Sequence, residues 1–179
     1  GYTVLRNKKI LLVMDTGSSP EKKFSKNYQS GALSFEIISN DKKLICNSGY
    51  FQKNKHKFNI LSRSTANHST LIIDNNSSCK INKMNKEILN NLKIIKKNSI
   101  MKKNYWNICG SHDGYIKKYG IIYEREIEFF PEKNKFVGYE KLLKKKNFRS
   151  SIFEIRFHLE PNAKIMKTID GKSILIDIE

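Results

Sequence analysis

The segment IIYEREIEF, residues 121–129, has the clearest alternation of side chains in this sequence. Its side chains alternate, so that Tyr123, Arg125, Ile127 and Phe129 share one face of an extended segment. Alternation with a period of two is typical of a half-buried β-strand. The sequence therefore predicts a strand over residues 120–130.

Short segments of strand-like sequence recur along the whole chain. Turn-forming residues separate them, as at residues 15–17, 39–41 and 170–171. Regularly spaced short strands favour an all-β fold, either an antiparallel β-sandwich or a stack of large sheets. Residues 82–91 are predicted to form a short helix or a loop, and residues 140–147 a second short helix. The predicted strands are 2–6, 9–15, 32–39, 43–48, 70–74, 92–96, 105–111, 120–130, 135–139, 151–159, 164–168 and 173–178.

The predicted strand at 151–159 runs into the motif RFHLEP, residues 156–161. Arg156 and His158 share a face, where a guanidinium can bind a carboxylate ligand through two parallel hydrogen bonds. The alternative is an ion pair between Arg156 and a glutamate of the sheet, either Glu154 or Glu124. The apolar residues of the opposite face are predicted to belong to the core: Phe153, Ile155, Phe157 and Leu159.

Length and charge limit the possible functions. The 179 residues suit one domain with a sizeable core, and the apolar runs are far shorter than the roughly 20 residues of a membrane span. The net charge of +17 suggests a polyanionic partner. The excess is nearly all lysine, however, in a chain rich in Asn and Ile, which also fits compositional drift on solvated surfaces. No RNA-binding motif, zinc-finger spacing or helix-turn-helix pattern appears, so nucleic acid is not an expected partner.

Three of the four histidines lie beside strand-like segments. His68 follows a polar turn, and three roles remain open for it: a hydrogen-bonded structural residue, a site residue at a domain interface, or a metal ligand. His112 opens the sequence HDGY, which resembles a turn with a capping Asp. The isolated cysteines Cys46, Cys79 and Cys109 lack metal-binding spacing and are expected to be buried or half-buried.

Five segments, in order, resemble the C-terminal β-domain of heparinase II/III-like proteins. The resemblance covers nearly the whole chain and implies an antiparallel β-sandwich that follows an α/α-toroid domain in a polysaccharide lyase. A strand that starts at residue 2 also suggests that the chain was cut from something longer. The segments are Val13–Gly17 with Gly31–Glu36, Leu44–Gly49, Arg63–Leu71, His112–Tyr115 and Arg156–Pro161.

The resemblance implies β-elimination on a uronate-containing glycan, and a periplasmic or cell-envelope setting. In this reaction a base removes the proton α to the uronate carboxyl, a neutralising group stabilises the carboxylate, and the leaving oxygen is protonated. In the family a key tyrosine comes from the toroid. We therefore expect residues 1–179, as a single β-sandwich domain, to be inactive alone and to require their own upstream toroid.

The resemblance also assigns site positions. Relatives carry a His-x-His pair where this sequence has Asn27 and Gln29, and the family's structural zinc positions hold Gln29, Asn47 and His68. Amides are poor zinc ligands beside imidazole and carboxylate, so no metal cofactor is expected. His68 and Asn27 are the predicted catalytic residues. The predicted substrate-binding residues are Gln29, Arg63, Tyr123, Arg125, Arg156 and His158.

Two other functions remain open. One is a noncatalytic carbohydrate- or polyanion-binding module whose site has decayed, as the lost His and Asp positions allow. The other is a generic basic β-sandwich that binds nucleic acid. A uronate-glycan lyase is favoured because the resemblance extends over the whole chain.

Overall fold

The structure, a computed structural model, describes residues 1–53 and 56–178. The chain is mostly strand, and its few helical segments are short: α1 (Lys57–Ser62), α2 (Ile116–Tyr119) and 3₁₀ turns at Lys22–Phe24, Thr65–Asn67 and Pro131–Lys133. The strands are β1 (Tyr2–Arg6), β2 (Ile10–Asp15), β3 (Phe35–Ser39), β4 (Lys42–Cys46), β5 (Leu71–Ile73), β6 (Ile94–Lys102), β7 (Tyr105–His112), β8 (Ile121–Phe130), β9 (Lys135–Lys144), β10 (Phe153–Ile155), β11 (His158–Leu159), β12 (Lys164–Lys167) and β13 (Ile174–Asp177).

Two large antiparallel sheets form the body of the molecule. The first has five strands in the order β1-β2-β3-β4-β11, and the second has four in the order β6-β7-β8-β9. Two smaller pairs, β5 with β10 and β12 with β13, complete the strands. The predicted all-β, antiparallel architecture is confirmed.

The core lies between the two large sheets. Leu12 and Met14 of β2 are fully buried, and they belong to the same apolar cluster as Trp106 of β7 and Phe129 of β8. Alternation gives each sheet one face toward this cluster, because successive side chains of a strand point to opposite sides. The sheets are therefore packed face to face, as in a β-sandwich.

The strand predicted from IIYEREIEF is confirmed as β8. Tyr123, Arg125, Ile127 and Phe129 are all buried, and β8 pairs with β7 on one side and β9 on the other. A central strand with two partners keeps the alternating pattern that the sequence shows.

Neither helical candidate of the sequence is helical. For residues 82–91 the loop alternative is confirmed: the backbone is irregular, with an isolated bridge between Ile81 and Ile88. The helix predicted for residues 140–147 is wrong. Residues up to Lys144 continue β9, whose pairing with β8 runs from Phe130–Lys135 to Ile121–Lys144. The hydrogen bonds of this ladder override local helix preference.

The core face predicted for residues 151–159 is wrong. Phe153 and Phe157 are 51% and 53% exposed, and the segment splits into two short strands with different partners. β10 pairs with β5 and β11 pairs with β4, so neither is covered as a central strand would be. Ile155 alone of the four packs against the central cluster as a partly buried residue.

The hairpin of β12 and β13 has apolar side chains on both faces. Ile165 pairs with Ile176 on one face, and Met166 pairs with Leu175 on the other. Met166 and Leu175 are 56% and 58% exposed. Within residues 1–53 and 56–178, no helix is long and apolar enough to cross a membrane.

The packing between the sheets predicts a large cost for truncating Leu12. Leu12→Ala is expected to lower the free energy of unfolding by about 2–5 kcal/mol, because it removes buried methyl groups and leaves a cavity. Leu175→Ala, at an exposed position of the same residue type, is expected to change it by less than about 0.5 kcal/mol. Urea denaturation measures both, and equal effects would contradict this assignment of the core.

Candidate functional site

A pocket of about 560 Å³ opens on the outer face of the five-stranded sheet. Alternation places side chains of β1, β2 and β3 on this face, opposite to those that enter the core. Two loops and the segment around His68 form its walls. The lining residues are Tyr2, Leu11, Val13, Asp15, Asn27, Tyr28, Gln29, Gly31, Ser34, Phe35, Glu36, Ile38, Asn47, Gly49, Tyr50 and His68.

His68 is held in one orientation by the backbone. It is 4% exposed, and its Nδ1–H donates to the Ser64 carbonyl at 2.8 Å. Its Nε2 lies 3.2 Å from the Gln29 side-chain amide. Burial lowers the pKa of His68, so the ring is neutral at pH 7 and Nε2 carries a lone pair. With the Gln29 carboxamide rotated so that its NH₂ faces the ring, the amide donates to Nε2.

Gly31 allows the imidazole to lie against the loop. A Cβ at this position would be 2.5 Å from Cδ2 of His68, far inside van der Waals contact. The close approach of backbone and ring therefore requires glycine. Residue 31 thus sets where the His68 ring can lie in the pocket.

Asn47 and Glu36 form a second fixed pair in the pocket wall. The Asn47 side chain accepts a hydrogen bond from Ser69 N–H at 2.8 Å and donates to Glu36 Oε1 at 3.0 Å. The backbone N–H of Asn47 also donates to Glu36 Oε1, at 3.2 Å. The pair ties β3 to the segment that carries His68.

Gln29, Asn47 and His68, the positions to which the resemblance assigned zinc, line the same pocket. Their chemistry does not fit zinc: the donor set is one imidazole and two amides, and both amides are engaged in hydrogen bonds. Among the residues that the structure describes, no three His, Cys, Asp or Glu side chains are grouped to hold a metal ion. No chemical step is therefore assigned to a metal here.

Asn27 and two tyrosines line another part of the pocket. Asn27 Oδ1 accepts a hydrogen bond from the Tyr50 hydroxyl at 3.1 Å, and that hydroxyl accepts one from Asn59 at 3.1 Å. The Tyr28 hydroxyl is buried and has no hydrogen-bond partner among the described residues. Burial raises the pKa of Tyr28, which keeps the phenol protonated and able to donate.

Arg63 lies outside the pocket, although the sequence predicted it to bind substrate. Its side chain is fully buried and donates to three backbone carbonyls: Tyr28 at 2.8 Å, Ser25 at 2.9 Å and Lys86 at 2.9 Å. These bonds hold the loop that presents Asn27 and Gln29. In the structure Arg63 positions the pocket wall and has no surface left for a ligand.

Arg125 and Tyr123, also predicted to bind substrate, are fully buried in the core. Arg125 donates to the carbonyls of Leu33 at 2.8 Å and Ser69 at 2.6 Å. Its charge is paired with Glu140 at 2.7 Å, and the Tyr123 hydroxyl donates to the same carboxylate at 2.5 Å. The partnership of Glu140 with Arg125 was not predicted, because Glu140 lies in the segment predicted to be helical.

Arg156 and His158 do not line the pocket either. Arg156 pairs with Glu154 at 2.9 Å, which is the alternative that the sequence left open. Arg156 and the His158 ring both donate to the carbonyl of Ala66, at 3.3 and 3.0 Å. Both side chains therefore brace the turn that precedes His68.

His112 packs in the core and does not line the pocket. It is 1% exposed and contacts the rings of Tyr115 and Tyr123, with centroid distances of 5.5 and 5.3 Å. Its Nδ1 accepts a hydrogen bond from Gly114 N–H, which closes the predicted turn. Burial lowers the pKa of His112 to about 3, so the ring is neutral.

The pocket thus unites Asn27, Gln29, Asn47 and His68, while the other five predicted site residues lie elsewhere: Arg63, Tyr123, Arg125, Arg156 and His158. It also contains Asp15 and Glu36, which the sequence did not single out as site residues. Their positions on outward faces of β2 and β3 follow from alternation, but the loops that enclose them do not. The further lining tyrosines that sequence reasoning missed are Tyr2, Tyr28 and Tyr50.

Comparison with known proteins gives the chain its family. The model of the heparinase II/III-like C-terminal family matches residues 1–179, so the chain belongs to this family. A solved structure of a heparinase III with methylated lysines matches with a TM-score of 0.70. The two sequences are 16% identical, and this likeness shows the fold alone. The match covers 100% of this chain but 25% of that chain, so the chain spans a quarter of its length. No curated protein matches significantly.

The donor chemistry predicts how a metal site could be rebuilt. The double variant Gln29→His with Asn47→Asp is expected to bind Zn²⁺, because it supplies a second imidazole and a carboxylate beside His68. The wild type and Asn47→Asp alone are expected to bind none at equal metal concentration. Competition with a chromogenic chelator measures this, and zinc binding by the wild type would contradict the assignment.

Burial of Arg125 predicts a large loss of stability on its removal. Arg125→Leu is expected to lower the free energy of unfolding by about 3–5 kcal/mol, since the Glu140 carboxylate loses its cationic partner and two carbonyls lose a hydrogen bond. Arg156→Leu, which breaks an exposed pair, is expected to cost about 0–1 kcal/mol. Urea denaturation compares them. A loss below about 1 kcal/mol for Arg125→Leu would contradict its structural role.

Proposed function

We propose that this domain forms one wall of the cleft of a polysaccharide lyase that performs β-elimination on uronate-containing anionic glycans. Membership of the heparinase II/III-like family supports a polysaccharide substrate. The observation that carries the proposal is the meeting of Asn27, Gln29 and His68 in one pocket. The family resemblance assigned Asn27 and His68 to catalysis and Gln29 to substrate binding.

The geometry allows His68 to accept a proton or a hydrogen bond at Nε2. Its Nδ1–H is fixed on the Ser64 carbonyl, so the basic lone pair is on Nε2, at the Gln29 side. A neutral imidazole can accept a proton or a hydrogen bond, but it carries no charge to stabilise a carboxylate. In the proposed reaction His68 is therefore the proton acceptor or a hydrogen-bonding partner, once Gln29 turns aside.

The uronate carboxylate is then stabilised by uncharged hydrogen-bond donors. The Asn27 amide can donate a hydrogen bond to a carboxylate oxygen, and its own oxygen is held by Tyr50. Protonation of the leaving oxygen requires an acid that we assign to an upstream α/α-toroid. A chain that spans a quarter of the heparinase III structure accords with this division of the machinery.

The proposed setting follows from the same family membership. A lyase for anionic polysaccharides acts in the periplasm or elsewhere in the cell envelope, where such glycans are met. The proposed partners are the glycan and the chain's own toroid, with no metal cofactor. The amides at two of the three metal positions support metal independence.

A noncatalytic glycan-binding module is the second candidate. The observation that favours it is the contact between Gln29 and Nε2 of His68, which occupies the only basic nitrogen of the pocket histidine. A ring engaged in this way can hold the pocket in shape without taking a proton. Turnover distinguishes the two candidates.

The lyase proposal predicts that His68 is required for cleavage. In the full-length protein, offered a panel of uronate-containing glycans, His68→Ala is expected to lower the rate by about 10²-fold or more. His56→Ala provides a matched control, because His56 caps α1 outside the pocket lining. The readout is ultraviolet absorbance of the unsaturated uronate product. Glycan binding with no product from any substrate would favour the binding module.

A further inference from the structure

We propose that the domain binds the surface of an anionic lipid membrane through the β12–β13 hairpin and a neighbouring group of turns, which we call the basic end. The basic end consists of three turns with their flanking residues at one end of the sandwich: residues 6–9, 40–43 and 102–104. This binding surface goes beyond the proposed function and does not depend on lyase activity.

The basic end concentrates positive charge. Its sequences are RNKK, NDKK and KKN, which carry seven cationic residues and one acid, Asp41. All of these residues are exposed, and none of the seven cations forms a salt bridge with a described residue. The turn between β8 and β9 adds one charge of each sign, Glu132 and Lys133. Near an anionic membrane each lysine or arginine contributes about fivefold in affinity.

The three turns of the basic end are neighbours in space. The backbone N–H of Asn40 donates to the Lys9 carbonyl at 2.7 Å, which joins the turn of β3 and β4 to that of β1 and β2. Asn7 lines the same surface hollow as Lys102 and Lys103, which brings in the turn of β6 and β7. The cations therefore form one continuous surface.

The β12–β13 hairpin begins beside the basic end. Lys42 Nζ donates to the Ile178 carbonyl at 3.1 Å, so the base of the hairpin lies against the turn of β3 and β4. Four paired residues in each strand carry the tip about 13 Å from this base. Ile169, in the turn at the tip, is fully exposed.

Apolar side chains on both faces of the hairpin favour lipid over a protein partner. Ile165 and Ile174 on one face, and Met166 and Leu175 on the other, are between 51% and 58% exposed. No hairpin residue belongs to the buried apolar clusters of the domain. A protein partner seated on one face leaves the other face in water, whereas lipid surrounds both. Apolar side chains next to lysines are typical of segments that lie in a membrane interface.

The charges of the hairpin suit the headgroup layer of a membrane. Lys167 and Lys172 flank the tip, where they can contact lipid phosphates. Asp170 accepts hydrogen bonds from the Thr168 hydroxyl and the Lys172 N–H, and these bonds lower its pKa. A charged Asp170 is costly in hydrocarbon, so the tip stays at the level of the headgroups. Interfacial segments reach about 5–10 Å into that layer, which the length of the hairpin allows.

The surroundings of His68 lie toward the opposite end of the strands. β2 runs from Ile10, beside the basic end, to Asp15, whose carbonyl accepts a hydrogen bond from Leu33 N–H. Leu33 follows Gly31, against which the His68 ring lies. No lysine or arginine lines the pocket, so the attraction to an anionic surface acts at the basic end. With the basic end on a membrane the proposed cleft stays accessible, and this orientation alone rests on the proposed function.

Co-sedimentation of the full-length protein with vesicles tests the inference. The vesicles are made of phosphatidylcholine alone or of phosphatidylcholine mixed with phosphatidylglycerol. The wild type is expected to bind the mixed vesicles about tenfold or more tightly than the neutral ones. Rising salt is expected to weaken this binding, because the cations of the basic end are exposed and screened.

A quadruple variant assigns the binding to the basic end. It is expected to weaken binding to the mixed vesicles about tenfold or more, and it carries Lys8→Gln, Lys9→Gln, Lys102→Gln and Lys103→Gln. The matched control removes the same charge near the junction of α2, β8 and the end of β9, and is expected to have less than about a threefold effect. It carries Lys117→Gln, Lys118→Gln, Lys145→Gln and Lys146→Gln.

A single substitution tests the hairpin. Ile169→Ser is expected to weaken binding to the mixed vesicles about threefold or more, because it removes apolar surface that enters the interface. Ile152→Ser, at a position that is 75% exposed outside the hairpin, is the matched control and is expected to leave binding unchanged. Both positions are exposed, so neither change is expected to affect folding.

Every other outcome overturns the inference. Lack of binding to the mixed vesicles at low salt does so, as do equal effects of the two quadruple variants or an unchanged affinity of Ile169→Ser. If Ile169→Ser disrupts a dimer in sedimentation velocity and leaves vesicle binding intact, the hairpin contacts a second copy. If the basic-end variant weakens binding of a soluble anionic glycan and not of vesicles, the surface binds glycan.

The test is independent of the lyase proposal. Cleavage of a soluble uronate glycan is expected to be the same in the wild type and in all of these variants. Vesicle binding without cleavage of any glycan leaves the membrane surface assigned and the lyase proposal wrong. Cleavage without vesicle binding leaves the lyase proposal intact and overturns the membrane surface.

Discussion

The buried guanidinium of Arg125 links the four-stranded sheet to the backbone that surrounds the pocket. A charge with no exposed surface persists in a core only where it is paired and hydrogen-bonded, and Arg125 meets both conditions through Glu140, Leu33 and Ser69. Its guanidinium also lies 5.0 Å from the centroid of the Phe35 ring. One side chain of β8 thus fixes backbone on the far side of the core, next to the segments that build the pocket.

The walls of the pocket are mostly irregular backbone. Side-chain hydrogen bonds hold these loops in place, as backbone hydrogen bonds do within a sheet. Arg63 bonds three carbonyls of neighbouring loops, and Thr65 donates to the Ser30 carbonyl at 2.7 Å. Asn47 joins Glu36 to Ser69. Buried polar groups that are hydrogen-bonded in this way favour one conformation of a loop, because other conformations leave these donors and acceptors unpaired. The pocket is therefore preorganised by Arg63 and Thr65, which lie outside it, and by the Asn47–Glu36 pair of its own wall.

The sequence predicted those parts of the fold in which a strand is central, and failed where pairing is peripheral. The alternation of residues 121–129 corresponds to burial because β8 has partners on both sides and a core on one face. The alternation of residues 151–159 is as regular, but Phe153 and Phe157 are exposed because short strands paired with β5 and β4 carry them. Nothing local to that segment distinguishes the two cases. They differ in contacts with residues about 80 to 110 positions away, which a local pattern does not record.

The candidate site likewise contains residues that were predicted from the sequence and residues that were not. Asn27, Gln29, Asn47 and His68 could be named because a family resemblance fixes their positions, and they do meet in one pocket. Arg63 and Arg125 were predicted to bind substrate from the same resemblance, but burial gives them structural roles. Asp15 and Glu36 resemble ordinary outward carboxylates of a sheet until the loops are placed around them.

The hairpin of β12 and β13, with apolar side chains on both faces, affects how copies of the domain interact. The charge of +17 makes the copies repel one another, while the exposed apolar side chains of the hairpin attract them. Because dissolved salt screens that repulsion over about 8–10 Å at physiological strength and leaves apolar attraction intact, rising ionic strength favours self-association of the isolated domain.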